Sequence, residues 1–399
     1  MKAGARVQAA IELLDQIVAA ADEGGAAADT LIARYFATRR YAGAKDRRAV
    51  REWVYAAIRR AGERPDGGRA AMLGLAEDDP ELAALFDGTP YAPAPIAAGE
   101  PVAMAGVAPV WLEQMLGAAG IGGDALTALV ARAPLDLRVN PGRASVAEVV
   151  AALPGAAAAP GLPNAVRVPH GTPVEQHPLW AAGAIDIQDA GSQTVTLAAA
   201  AAPGQMIIDL CAGAGGKTLA LSAAMMGAGT GAGRIIACDI DRARLSRLTP
   251  RAARAGAAGI ETRLLDPGKE ALALADLAAR ADTVLIDAPC SGTGTWRRNP
   301  EARWRLTPQR LDRLMATQAR LIDIAAALVR PGGAMVYIVC SLLDEEGRMV
   351  ITDAMARHPG WVAEPLDLPR GVPHGAGTRL TPDHDSTDGF FVARLRAPC

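Results

Sequence analysis

Two hydrophobic rhythms divide the chain. Up to about residue 130 the apolar positions recur at helical spacing, without a convincing β-run. Within 44–61, Val50, Trp53, Val54, Ala57 and Ile58 fall at i, i+3, i+4, i+7 and i+8, which predicts a helix with one buried stripe. Arg48, Arg51, Tyr55 and Arg59 then line another side. Pro65, Asp66, Gly67 and Gly68 form a turn, and the Pro-rich 87–95 is a connection. Between 130 and 187 the text changes to short β-like runs, Leu135–Val139 and Ala165–Val168, around a helical 146–153. From Gln193 onward helix and strand alternate. Residues 206–210, 234–238, 261–265, 283–286 and 334–339 are apolar and β-branched enough to be strands buried on both faces. That order predicts a doubly wound, Rossmann-like α/β sheet. A last run, 389–395, follows a long loop and is expected as an antiparallel edge or hairpin strand. Three domains are therefore expected: an all-helical 1–128, a small α/β linking subdomain 129–190, and a doubly wound domain 191–399.

Composition adds bounds. With 50% hydrophobic and 21% charged residues there is material for a sizeable core, which argues against disorder. No run of about 20 apolar residues appears, and Glu12 and Asp15 interrupt the first patch, so a soluble, cytoplasmic protein without a membrane partner is expected. The five cysteines make no C-x-x-C pair and no Cys/His cluster, so neither a disulfide framework nor a metal site is expected. A net charge of -2 hides an asymmetry: residues 34–64 hold ten basic and three acidic residues, whereas 70–131 hold eight acids and no Lys or Arg. A basic helix face carrying one tyrosine suits phosphate contact and base stacking; a plain solvated face is the competing explanation.

The run Asp209-Leu-Cys-Ala-Gly-Ala-Gly-Gly-Lys-Thr218 lies where the first strong strand ends and a helix begins. Glycines at 213, 215 and 216 let the backbone pass close beneath a ligand, and free helix amides attract a negative group. Cys211 stands where a P-loop needs its first glycine, and Thr218 where a dinucleotide loop needs its third, which disfavours ATP and NAD. A ligand without a pyrophosphate, such as S-adenosylmethionine, remains. Asp239 ends the second strand about 20 residues further on, where an acid hydrogen-bonds ribose hydroxyls, and Asp266 closes the third. Asp241 is expected as a helix cap.

Asp287-Ala-Pro-Cys290 follows the fourth strand, and Cys340-Ser341 the fifth. Ser341 and Asp344 match a helix start, which would place Cys340 at a helix N-terminus, where thiolate is favoured. Cys211 and Cys238 are expected as small buried side chains and Cys399 as a terminal one. Two thiols at adjacent strand ends, beside an acid and a glycine loop, suit one chemistry. Carbon 5 of cytosine accepts a methyl group once a thiolate has added to carbon 6. A carboxyl group at N3 assists the addition, and a second thiol can serve release.

The runs DLCAGAGGKT, ACDIDRARLSRL, DAPCSGTGTWRRNPEARW, VYIVCSLLDEEG and TDGFFVARL resemble the Sun/Fmu (NOP/Sun) family of RNA (cytosine-C5) methyltransferases over about 130–399. The resemblance implies an S-adenosylmethionine fold, Cys340 as the attacking thiol and Cys290 as an aid to product release. It also implies that Cys211, Ala212, Gly213, Ala214, Gly215, Gly216, Lys217, Asp239, Asp266 and Asp287 contact the cofactor, with Asp287 near the target base. Ala214 stands where the family usually has proline. Residues 1–125, with AKDRRAVREWVYAAIRR, are similar to the NusB-like domain of the bacterial small-subunit rRNA members. That similarity implies an rRNA partner met by Arg48, Arg51 and Arg59. Arg297, Arg298 and Arg303, interleaved with Trp296 and Trp304, are a second expected RNA contact, unless both tryptophans are packed. A non-catalytic RNA-binding assembly factor and a nucleotide hydrolase are the competing functions. His374 and His384 are expected at the surface, and the pattern predicts no oligomeric state.

Overall fold

Among the described residues, seven helices occupy the first 128 positions: α1 (Ala3–Glu23), α2 (Ala28–Ala37), α3 (Ala44–Arg60), α4 (Gly68–Glu77), α5 (Pro80–Ala83), α6 (Val110–Ala118) and α7 (Gly123–Ala128). The structure, a computed structural model, describes residues 1–23, 25–226 and 233–399. Its first unit joins Met1–Arg132 to a returning segment, Thr295–Pro308. In α3 the predicted stripe is buried: Val50, Val54, Ala57 and Ile58 are inaccessible and pack with Leu13, Leu14, Ile17 and Met72. Asp46 holds the start of α3 by accepting from the Gly43 amide. Trp304, from the returning segment, belongs to the same core.

The second unit comprises Ala133–Gly294 and Gln309–Cys399. Its first part is a four-stranded antiparallel sheet of β1 (Leu135–Val139), β2 (Ala157–Ala158), β3 (Ala165–Val168) and β4 (Ile185–Ile187), in the order β2-β3-β1-β4. Helix α8 (Val146–Ala152) carries a Ser145/Glu148 capping box, and α9 (Pro178–Ala181) precedes β4.

The larger sheet alternates with helices in the predicted manner. Along the chain run α10 (Ala190–Leu197), β5 (Met206–Asp209), α11 (Gly216–Met225), β6 (Arg234–Asp239), α12 (Arg242–Leu245), α13 (Leu248–Ala255), β7 (Ile260–Leu264), α14 (Glu270–Ala273) and β8 (Ala281–Asp287). After the returning segment come α15 (Pro308–Leu328), β9 (Val329–Val339), α16 (Arg348–Arg357), β10 (Val362–Glu364), β11 (Val372–His374), β12 (Gly377–Leu380), α17 (Pro382–Asp385) and β13 (Phe390–Arg396). The order is β11-β12-β13-β9-β8-β5-β6-β7, with β10 also on β13. Strands β5 to β9 are parallel; β13 pairs antiparallel with β9 and β12, so it is a hairpin member inside the sheet and not its edge. Ile208, Ile236, Val284, Ile286 and Val339 are fully buried, as strands covered by helices on both faces require. Strand order reverses at β5, so the loops after β5 and β8 flank the crevice where doubly wound sheets bind ligands. Among the described residues, no helix is long and apolar enough to cross a membrane.

Two expectations are corrected here. Residues 341–343 are irregular, 344–347 form a turn, and α16 starts only at Arg348, so Cys340 does not sit at a helix N-terminus. Ser341 does accept from the Leu343 amide, but Asp344 is taken by Arg348 and His374 instead of capping a helix. Nor is the Trp296–Trp304 region an exposed arginine-aromatic surface. Trp296 and Arg303 have no accessible surface, and Arg297 is buried at 8% exposure. The Arg303 guanidinium donates to the main-chain oxygens of Pro300, Ile58 and Ala61, and Trp304 donates to the oxygen of Ala61 as well. Buried donors satisfied by carbonyls have no reach to phosphate. Arg298 is half-buried. Arg59 is also half-buried and lies over the Tyr55 ring, whereas Arg48 and Arg51 are exposed.

Candidate active site

The loop after β5 is shaped by glycines. Gly213 and Gly215 have φ of 56° and 84°, in the left-handed region that side chains avoid. A Cβ on Gly215 would lie 2.1 Å from Leu248, so this position accepts no side chain. The Gly213 amide donates to Asp239 Oδ2 at 2.7 Å, and the Asp241 amide to Asp239 Oδ1 at 2.7 Å. Asp239 therefore ties the glycine loop to the end of β6, while Asp241 caps α12 through the Ala243 and Arg244 amides. At Ala214, where proline would stiffen the backbone, Arg251 of α13 donates to the carbonyl oxygen and also pairs with Asp186 of β4.

Five strand ends, those of β5 to β9, open on one cavity of about 290 Å³. Cys211, Asp239, Asp287, Cys290 and Cys340 all line it, together with Ile240, Leu265, Pro289 and Leu321. Carboxylates beside apolar walls match the polar and flat parts of a nucleoside, which fits the residues to an S-adenosyl group. Asp266 lies two residues past β7, is exposed, and is not among the lining residues. His384 is exposed, pairs with Asp385 and is likewise outside the lining. Arg244, Glu270, Thr317 and Arg320 line the cavity without having been expected. Glu270 is buried and ion-paired to Arg320, a contact 50 residues apart that no local pattern announces.

The two predicted thiols meet. Cys290 Sγ and Cys340 Sγ are 3.4 Å apart, a sulfur–sulfur hydrogen-bond distance. The Cys340 sulfur, burial and the Glu346 carboxylate all push the Cys290 thiol well above its ordinary range, so its S–H is available to the Cys340 sulfur. Lys217 Nζ, the first-turn cation of α11, pairs with Asp287 Oδ2 at 2.8 Å. Burial opposes the Lys217 charge, but Asp287 and Cys340 outweigh it and raise the ammonium's pKa. The acid and the two thiols line the cavity, whereas Lys217, like residues 212–216 of the loop, is not among its lining residues. Cys211 and Cys238 are pushed up, chiefly by burial, the second to about 12, and neither is poised as a nucleophile.

Asp209, beneath the loop, is inaccessible; Thr218 donates to one oxygen at 2.6 Å, and the other has no partner. Burial, then Asp287 and Asp239, raise its pKa to about 7 against the pull of Thr218. The native state therefore holds a proton that the unfolded chain releases near 3.8, so stability from this group falls as pH rises from there to about 7. Asp209→Asn keeps an acceptor for Thr218 and removes the slope. Between pH 5 and pH 8 the variant's stability relative to wild type is expected to rise by on the order of 2 kcal/mol, as read from urea midpoints.

The family model of the 16S rRNA methyltransferase RsmB/F matches residues 196–396. A ribosomal RNA small subunit methyltransferase B of Xanthomonas campestris is 37% identical over 298 residues, covering 72% of this chain and 66% of that protein. The chain thus spans just under two thirds of that relative's length. Among solved structures, PH0851 superposes with a TM-score of 0.78 at 23% identity, over 99% of each chain. NSun6 from Pyrococcus horikoshii, solved with SFG, gives 0.62 at 19% identity over 72% of this chain and 98% of that one. Both share the fold. With the family model covering half the chain, including the glycine loop and both cysteines, the chain belongs to the 16S rRNA methyltransferase RsmB/F family.

Proposed function

We propose that the chain methylates carbon 5 of a cytosine in small-subunit rRNA with S-adenosylmethionine, through a covalent bond between Cys340 and carbon 6 of the base. The observation that carries this is the 3.4 Å contact between Cys290 and Cys340 at a cavity also lined by Asp239 and Asp287. The glycine loop from Cys211 to Lys217, with Asp239, holds the cofactor, whose sulfonium supplies an electrophilic methyl group when bound. The Cys340 thiolate adds to carbon 6. Asp287, fixed by Lys217, serves the N3 edge of the ring. After methylation the carbon 5 proton passes to solvent, its C–H electron pair re-forms the C5=C6 bond, and Cys340 leaves as thiolate beside the Cys290 S–H. The exposed Arg48 and Arg51 of a NusB-like helical unit contact RNA phosphates, which makes binding weaken with salt.

The test is methyl transfer. Purified protein, methyl-labelled S-adenosylmethionine and unmodified small-subunit rRNA are expected to yield label in 5-methylcytosine after nuclease digestion. Protein that binds both RNA and cofactor yet labels no cytosine is an assembly factor and not this enzyme.

A further inference from the structure

Glu346 is a carboxylate with no accessible surface, placed six residues after Cys340. Its Oε1 accepts from the Ser291 amide at 2.8 Å and from Gln318 Nε2 at 2.9 Å. Gln318, equally inaccessible on α15, also donates to the Pro289 oxygen at 3.0 Å. The residues on both sides of Cys290 are thus held by one carboxylate–amide pair. Glu346 is itself fixed, because the Tyr337 hydroxyl of β9 donates to its main-chain oxygen at 2.7 Å. The turn that begins at Cys340 therefore supplies the anchor for Cys290. Ser341 adds a lighter tie through the Ser291 and Thr293 hydroxyls, at 3.0 and 3.2 Å.

We infer that Glu346, with Gln318, is a positioning residue that aims Cys290 at Cys340 and so governs release of the methylated RNA. Ser291 and Gln318 need only an acceptor, which a neutral amide would also provide. Glu346 is instead an acid whose Oε2 is buried without a partner. The charge has an effect of its own: it helps keep the proton on the Cys290 sulfur, the state suited to stabilising a departing thiolate.

This inference rests on the covalent methyltransferase function proposed above. The experiment uses the full chain, S-adenosylmethionine and rRNA, and follows single-turnover methyl transfer and decay of the protein–RNA adduct. Glu346→Ala and Gln318→Leu are expected to slow adduct decay about tenfold while methyl transfer stays within about twofold. Glu346→Gln keeps the acceptor, so it restores decay, but with its pH profile displaced to lower pH because the anion is gone. Gln318→Leu decides the matter if Glu346→Ala does not fold. Equal losses in methylation and decay, unaltered decay in both variants, or a Gln variant as slow as the Ala variant would each overturn the inference. Wild type and Cys290→Ala run alongside. If wild type transfers no methyl or Cys290→Ala traps no adduct, the covalent function itself falls, and this inference with it.

Discussion

Cys340→Ala is expected to lose methyl transfer by at least about 10³-fold, while Cys290→Ala leaves RNA covalently attached to the protein. The two sulfurs are in contact, yet their surroundings differ. Cys290 is driven toward its protonated form, in part by the Glu346 carboxylate, which suits it to release and leaves attack to Cys340. Denaturing gels of labelled RNA mixed with each variant read the outcome directly: a shifted band is expected for Cys290→Ala and none for Cys340→Ala. The opposite pattern would exchange the roles. Binding of S-adenosylmethionine, measured by calorimetry, should change little in either variant.

The second large effect concerns the ion pair beneath those sulfurs. Asp287→Ala strands a Lys217 ammonium whose side chain is only 9% exposed. Removing one partner of a buried pair is costly. Because Asp287 is itself 34% exposed, part of its interaction is screened by water and the expected loss is at the low end, roughly 2–3 kcal/mol. The sign with pH follows from the raised Lys217 pKa. The pair's contribution is complete below the ordinary lysine value of 10.5 and fades as pH rises through the higher native value. Urea midpoints for wild type and variant should therefore differ at pH 7 and draw together only as pH rises beyond 10.5. Methyl transfer should fall by at least about 10²-fold at neutral pH, because the residue at the base and its cation partner are disturbed together.

Much of the larger sheet is legible in sequence because its strands are buried on both faces. Residues 334–339 are apolar throughout and 206–210 are broken only by Asp209, so each run reads as a buried strand. The glycine loop and both cysteine motifs are legible for a related reason: their spacing is local. The remaining features depend on partners far along the chain. A Ser-x-x-Asp pattern after Cys340 looks like a helix start, but Arg348 and His374 claim the acid and the helix begins later. Arg303 looks like a hand for phosphate until three carbonyls, two of them over 240 residues away, are found to occupy it. Glu346 is the third acid of the run Asp344-Glu345-Glu346. Its burial against Ser291 and Gln318 has no local signature.

The returning segment has a practical corollary for anyone dissecting this chain. Residues 1–132 are not a self-sufficient fragment, since Glu301 accepts from the Ala28 amide and Arg303 donates to the carbonyls of Ile58 and Ala61. Cleaving the gene after codon 132 would orphan those main-chain groups and remove Trp304 from the helical core. A usable excision has to carry 295–308 along as a tethered peptide, with its two ends rejoined across the gap.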